Sequence, residues 1–323
     1  MRARFAILAA LLLGSLATTA AQAPAGRPPR AQTDAADYAI PSRLAPGIAG
    51  IPFLAFARGG RLFGVAEDQL FVSRIGEAVR SIPLGRAMHS SVLAVGGDGR
   101  LWLSDANGVT VRVDELGNAQ PISLAAPALA IAADGVHTDV LEATAVESFD
   151  AEGNVHRIPL GRTIAHGSIA ALPNEIVVAA DSVSGIVRID RNDRVEILKL
   201  EDDMRPATLR VVGNTVWFPL RNSRKTATRR IGRVHDRTIQ SIDLATFAPI
   251  LDIGVGADNR FAVIESFDVF GIVSIDGQLA CERSIGTGFP GSVIAQIVFD
   301  EMGSTYLTTS RVPSFVKVID GCR

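Results

Sequence analysis

With 323 residues, 47% apolar and 20% charged, the chain has the make-up of a globular protein able to bury one large core or two ordinary ones. Its formal net charge of −2 becomes −4 (30 basic against 34 acidic residues) once Arg2 and Arg4 are removed with the leader described next. A mildly acidic, exported chain is a poor match for a phosphate backbone, so nucleic acid is excluded as the expected partner.

The N-terminus reads as a targeting signal. Arg2 and Arg4 form a basic start, residues 5–13 are an apolar run ended by Gly14 and Ser15, and the small residues "ATTAAQA" follow over 17–23. This is the three-part layout of a secretory signal peptide, and the run is too short for a permanent membrane span. Cleavage after Ala23 satisfies the small-x-small rule, with Ala21 as the alternative. No Cys follows for lipid attachment, and no later stretch is apolar enough to cross a bilayer. Residues 1–23 are therefore read as a signal peptide and 24–35, "PAGRPPRAQTDA", as a flexible linker rich in Pro and small polar residues. The expected location is periplasmic or secreted, and the expected state is a monomer.

Residues 36–323 are built from repeats. A small turn residue between two apolar runs recurs at Gly60, Gly99, Gly135, Asn174, Asn214, Asn259 and Gly303, with spacings of 39, 36, 39, 40, 45 and 44 residues. That is the period of a four-stranded β-propeller blade. Phe63, Trp102, Trp217 and Tyr306 each lie three residues after an anchor, so both Trp residues of the chain share one slot. An apolar residue followed by Asp precedes a turn at Asp114, Asp150, Asp190, Asp276 and Asp320, and more weakly at Asp236. Repeat two shows the strands most clearly: "SVLAV" inside, then "RLWLS", "VTVRV" and the outer "AQPISL". The pentapeptide "IPLGR" occurs at 82–86 and again at 158–162, as the outer strand and exit of repeats one and three. The last repeat supplies only three strands before Arg323. "YAIPSR", residues 38–43, shares the Ile-Pro core and is expected to add the fourth. The fold class is thus all-β, a seven-bladed propeller of four-stranded blades closed by an N-terminal strand that completes the last blade.

"DGRLWLSDANGVTVRVDELGN" (98–118), "SGIVRID" (184–190), "RRIGRV" (229–234) and "FGIVSIDG" (270–277) resemble the repeat of the streptogramin (virginiamycin B) lyase-like propellers. The resemblance covers residues 50–323 and implies seven blades. It also implies, for true lyases, metal-assisted elimination through a Glu-x-His pair in a late blade with another His. The five His here are His89, His137, His156, His166 and His235, and none follows a Glu at that spacing; two residues after Glu265 stands Phe267. The resemblance therefore carries the fold and not the activity.

Function is expected on loops around the central channel, held by a rigid scaffold. Glu67, Asp105, Glu142, Asp181, Arg221 and Glu265 end the second strands on that face. The five carboxylates are candidate oxygen ligands for a divalent cation, Mg or Ca; the alternative is that each bonds local backbone. His89 and His166 lie in loops on the same face and are candidate ligands or solvated loop residues. Arg221, Arg224, Lys225, Arg229 and Arg230 belong to a run, 221–237, of seven basic residues and one acidic, read as an extended loop of blade five. Such a cluster on an acidic protein suits an anionic small molecule, a glycan or an envelope protein. "GTGFPG" (286–291) matches G-x-G-x-x-G but has no following helix, which rules out a dinucleotide site. Cys281 and Cys322 follow matching turns of the last two repeats, and an even count in an oxidising compartment favours a disulfide. The sequence favours a binding or scaffold protein of the cell envelope, with a metal-dependent lyase or hydrolase as the alternative.

Overall fold

A computed structural model describes the strands from Phe53 to Val318 and most of their connections. The exceptions are residues 58–60, 67, 75–79, 85–91, 106, 115, 181–184, 201–202, 236, 255–259, 267, 286–292, 300–304 and 310–314. Before Phe53 it describes Arg30–Gln32 and Tyr38–Ala39, and nothing after 318. Residues 1–23, read from the sequence as a signal peptide, and Glu67, His89, Asp181 and Cys322 lie outside the described residues.

Among the described residues, successive strands from Phe53 on pair antiparallel and fall into seven sheets. Residues 53–83 form blade one, 92–122 blade two, 130–159 blade three, 167–199 blade four, 204–243 blade five, 252–284 blade six and 294–318 blade seven. The innermost strands of blades one to five adjoin one another in turn, second strands make the contacts from blade five to six and from six to seven, and the inner strand of blade seven adjoins that of blade one. The chain is an all-β propeller, as the repeat predicts. Tyr38–Ala39 pairs antiparallel with the strand Phe315–Val318, Tyr38 opposite Val318 and Ala39 opposite Lys317. The N-terminal strand thus completes the last blade and removes an open sheet edge.

Each core cluster draws on two neighbouring sheets, because alternating strands present apolar side chains to both faces of a blade. Leu141, Val146 and Ile158 of blade three meet Ile169, Val178 and Val187 of blade four. Phe63 and Leu70 of blade one meet Leu101 and Leu103 of blade two. The shared aromatic slot is buried throughout: Phe63, Trp102, Trp217 and Tyr306 are all core residues. Trp102 packs on Phe149 of blade three with ring centroids 5.1 Å apart, and Trp217 on Phe261 of blade six at 4.8 Å.

Both "IPLGR" copies do the same structural job. Each runs off the outer strand, Arg80–Pro83 or Val155–Pro159, and the leucine then turns inward. Leu84 N donates to Asp68 O at 2.7 Å and Leu160 N to Thr144 O at 2.9 Å, tying each exit to the turn between strands two and three of its own blade.

The turns are equally regular. Oδ1 of Asp114 accepts from the backbone N–H of Leu116 and Asn118, and Oδ1 of Asp190 from Asn192 and Arg194. Asp150 Oδ1 accepts from Asn154 N–H. These bonds hold all three carboxyls below their ordinary range, with the Asn118 and Asn154 side chains the first cause at Asp114 and Asp150 and the Asn192 N–H at Asp190. Blade six departs from the predicted register: Ser274, not Asp276, caps the turn, its Oγ accepting from Gln278 N–H at 3.2 Å. Asp236 and Asp320 lie outside the described residues.

Two sequence readings need correction. Arg30–Gln32, inside the stretch read as a linker, forms a short strand parallel to the outer strand of blade six, with Arg30 opposite Glu282. The basic segment of blade five is not an extended loop. Thr215–Asn222 and Ala227–His235 are long paired strands joined by a tight turn, with a bulge between Pro219 and Arg221. The extra residues in that repeat lengthen a hairpin, and charged side chains on its faces made it look like a loop.

Candidate functional site

A cavity of about 380 Å³ opens on the face carrying the connections into the inner strands. Its wall is built from the starts of the inner strands of blades two to five and the ends of the second strands of blades four and five. Val92, Leu93, Leu129 and Ile131 give it an apolar side. Opposite stand His166, Arg205, Arg210, Arg221 and Lys225, and no described lining residue is acidic.

The basic side has a definite construction. Arg205 and Arg221 are direct cross-strand partners, so their side chains rise from the same side of the sheet. Like charges in that relation are destabilising. Arg210 is held at the edge of the cavity: Nε donates to Ile253 O at 3.1 Å, and Nη2 lies 3.4 Å from Asp252 Oδ2. Lys225 sits at φ 61°, a left-handed conformation that costs a non-glycine residue about 1 kcal/mol. The same turn in blade two places Gly108 there, at φ 81°. Both turns are closed alike, by Asp105 Oδ1 accepting from Asn107 and Val109 N–H, and by Asn222 Oδ1 accepting from Arg224 and Thr226 N–H. Blade five thus keeps a lysine where a glycine is unstrained, and that lysine lines the cavity.

The basic run is divided by this geometry. Arg221 and Lys225 reach the cavity; Arg224 is an exposed turn residue. Arg229 Nη2 donates to Phe247 O at 2.9 Å, and Arg230 Nε lies 3.2 Å from Asp243 Oδ1. Arg233 covers the Trp217 ring at 5.3 Å. The last three brace blade five. Arg205 and Arg210 escaped the sequence reading. The available signal was the inner strand of blade five, which carries arginine where "SVLAV" of blade two is apolar.

The carboxylates that end the second strands are engaged one by one. Asp105 closes its own turn. Glu142 is fully buried; Oε1 accepts from Ala126 N–H at 2.8 Å and Oε2 from Arg157 Nη1 at 2.6 Å. Arg157 also meets Glu147, and the two carboxylates raise its pKa. Glu265, 1% exposed, accepts from Phe247 N–H at 2.8 Å and lies against the buried Glu282, which accepts from the same N–H. Burial pushes the Glu265 carboxyl up to about 8, and the hydrogen bond and charge of Glu282 add to the shift. The Ala126 and Phe247 bonds each anchor the connection entering the carboxylate's own blade. Among the described residues no three His, Cys, Asp or Glu side chains come together as a metal-holding group. Cys281 lies half-buried on the outer strand of blade six, while its expected partner Cys322 is outside the described residues. No described helix is long and apolar enough to cross a membrane.

No family model and no curated protein sequence matches the chain. Solved structures do. A streptogramin B lyase structure aligns with a TM-score of 0.67 at 15% identity, over 85% of this chain and 95% of that one. The catalytically inactive virginiamycin B lyase from Staphylococcus aureus with quinupristin gives 0.67 at 14%, over 84% and 95%. YCF48 bound to D1 peptide gives 0.62 at 12%, over 86% and 94%. At these identities the likeness establishes the propeller fold alone.

Proposed function

We propose that the chain is an exported binding protein of the cell envelope whose cavity holds the anionic group of a ligand. The observation that carries this reading is the facing pair Arg205 and Arg221, set in an acidic protein within a cavity whose described lining is otherwise basic or neutral. A bound anion would accept charge-assisted hydrogen bonds from this basic side. Solved propellers of similar form include peptide-bound and protein-bound ones, YCF48 bound to D1 peptide and BBS1N in complex with ARL6DN, which suits a binding role. The lyase alternative rests on the shared fold alone, since the chain contains no Glu-x-His. Export follows from the leader at residues 1–23, and a Cys281–Cys322 disulfide would pin the C-terminus in an oxidising compartment.

The test is titration of the mature protein with citrate and with inorganic pyrophosphate. Saturable binding that weakens with salt is expected. Arg205→Gln combined with Arg221→Gln should weaken it at least tenfold while the fold is retained. Absence of saturation, or equal affinity in the double variant, refutes the assignment. N-terminal sequencing of the exported protein, expected to begin at Pro24 or Gln22, and thiol counting on unreduced, denatured protein check the compartment.

A further inference from the structure

On the opposite face, between blades three and four, lies a second concavity of about 660 Å³ with a different character. Its rim is formed by the turns around Asp134 and Asn174 and around Asp190, its walls by Ile158, Ile176 and Ile189, and its floor by Asp139. Asp139 is 2% exposed. One carboxylate oxygen is hydrogen-bonded by Ser148, while Oδ1 is buried without a partner. Asp139 is flanked in register by Ala132 and Ser148, and Ser148 by His156, so one row of blade three faces the groove.

The groove has a sequence cause. Asp139 stands three residues before Glu142, as Trp102 stands three before Asp105. Trp102 fills the space between blades two and three. At the corresponding position facing blade four, the shorter Asp139 leaves space open and puts a charge at its base. An acid in the interior of a sheet with an unsatisfied oxygen is costly unless something pairs with it. Burial lifts the Asp139 carboxyl to about 6, and a cation beside it would oppose that shift.

The other charged groups around the groove are already committed. Asp134 accepts from Val136 and His137 N–H at 2.7 Å and contacts His137 Nδ1 at 3.2 Å. Asp193 Oδ2 meets His156 Nε2 at 2.7 Å. Arg191 donates to Pro173 O, and Arg188 pairs with Glu175 and Glu196. Asp139 is left as the one described lining carboxylate with an unpartnered buried oxygen. Apolar walls leading to a carboxylate suit an amphipathic cation, with an alkyl stem and a charged head.

We propose that this groove receives a lysine or arginine side chain of a partner polypeptide, its stem along Ile158, Ile176 and Ile189 and its head on Asp139. The site is independent of the anion cavity, since it lies on the other face and shares no lining residue with it.

The probes are acetyl-Gly-Arg-Gly-amide and the same peptide with citrulline, which keeps the shape and loses the charge. Binding to the mature chain is followed by calorimetry or by amide chemical shifts of Asp139 and Ile176. The arginine peptide should saturate, and the citrulline peptide should bind at least tenfold more weakly. Asp139→Asn should lose at least tenfold for the arginine peptide, and so should Asp139→Leu, whose apolar side chain keeps a folded core if the amide does not. Pyrophosphate binding at the other face should stay intact in both variants. Equal affinity for the two peptides, or an unchanged affinity in a folded Asp139 variant, overturns the proposal. So does n-propylguanidine binding as tightly as the peptide, which would make the groove a small-cation site.

Discussion

In blade three the second strand ends on Glu142, and in blade six the same position holds Glu265. Register makes the correspondence firm. Val140, Glu147 and Arg157 are paired across blade three as Val263, Gly271 and Glu282 are across blade six. Each leading carboxylate accepts a backbone N–H from the connection entering its blade, Ala126 in one case and Phe247 in the other. The difference lies behind it. Blade three sets a guanidinium against two carboxylates, whereas blade six sets a second carboxyl against the first, with Glu265 Oε1 buried and unpartnered. The same anchoring job is done by an ion pair in one blade and, in the other, by two carboxyls with the proton held on Glu265. The first needs a cation to be kept, and the second needs a proton.

The largest effect should come from forcing blade three into the charge state of blade six. Arg157→Glu would leave three carboxyls at one point, two of them buried, with no cation. Breaking a buried pair from one side leaves the remaining charge uncompensated. The melting temperature at pH 7 is expected to fall by on the order of 10 °C. Thermal unfolding monitored by circular dichroism measures it. A fall under about 2 °C would mean that water already screens Glu142 and Glu147, and the contrast between the blades would then be one of geometry only.

A smaller effect is expected from pH. The Glu265 carboxyl is raised from 4.5 to about 8 in the folded chain, so between those values the native state holds a proton that the unfolded state has released. Its contribution to stability is complete below the lower value and is lost as pH rises through the higher one. The melting temperature should therefore drop by a few degrees between pH 5.5 and 8.5. Glu265→Gln, which imitates the protonated acid, should remove most of that drop. A drop of the same size in the variant would trace the pH dependence to other groups and leave blade six without its proton.

These pairs show how far the sequence could be read. The slots holding Trp102, Trp217, Asp114, Asp150 and Asp190 repeat, and repetition exposes a structural role before any coordinate is known. Tyr38–Ala39, the start of "YAIPSR", pairs where the likeness to the other outer strands predicts a strand. Glu142 and Glu265 were legible as repeat positions, but their partners Arg157 and Glu282 are 15 and 17 residues away on another strand, and only register brings them together. The basic cavity was half legible. Arg221, Lys225 and His166 stand on the expected face, whereas Arg205 lies in Met204–Pro206, a short strand that pairs with the same second strand as Arg210–Val212, so the inner strand of blade five is split in two and hides its match to the other repeats. The basic run misled because charge density was read as a loop; cross-strand pairing sends Arg229, Arg230 and Arg233 to brace blade five instead. Asp139 was missed because its neighbours Thr138 and Val140 follow the ordinary strand pattern, and its meaning depends on the blade it faces.

The smallest effect concerns the outer edges of the same two blades. The outer strand of blade three, Val155–Pro159, is largely exposed, with Ile158 its one buried residue. In blade six, Arg30–Gln32 lies parallel to Glu282–Ser284, and Glu282 is fully buried. Deleting residues through Gln32 removes that cover and spares Tyr38–Ala39, which complete blade seven. Three paired residues add a few hydrogen bonds of about 1 kcal/mol each, offset by the cost of ordering the segment. The melting temperature at pH 5.5 should accordingly change by less than about 2 °C. The informative measurement is the same comparison at pH 8.5. With the edge uncovered, water reaches Glu282, the mutual burial of the two carboxyls eases, and the alkaline loss of stability should shrink. If the truncated chain loses as much stability at pH 8.5 as the intact one, Glu282 is buried by blade six alone, and the added strand has no part in keeping the proton on Glu265.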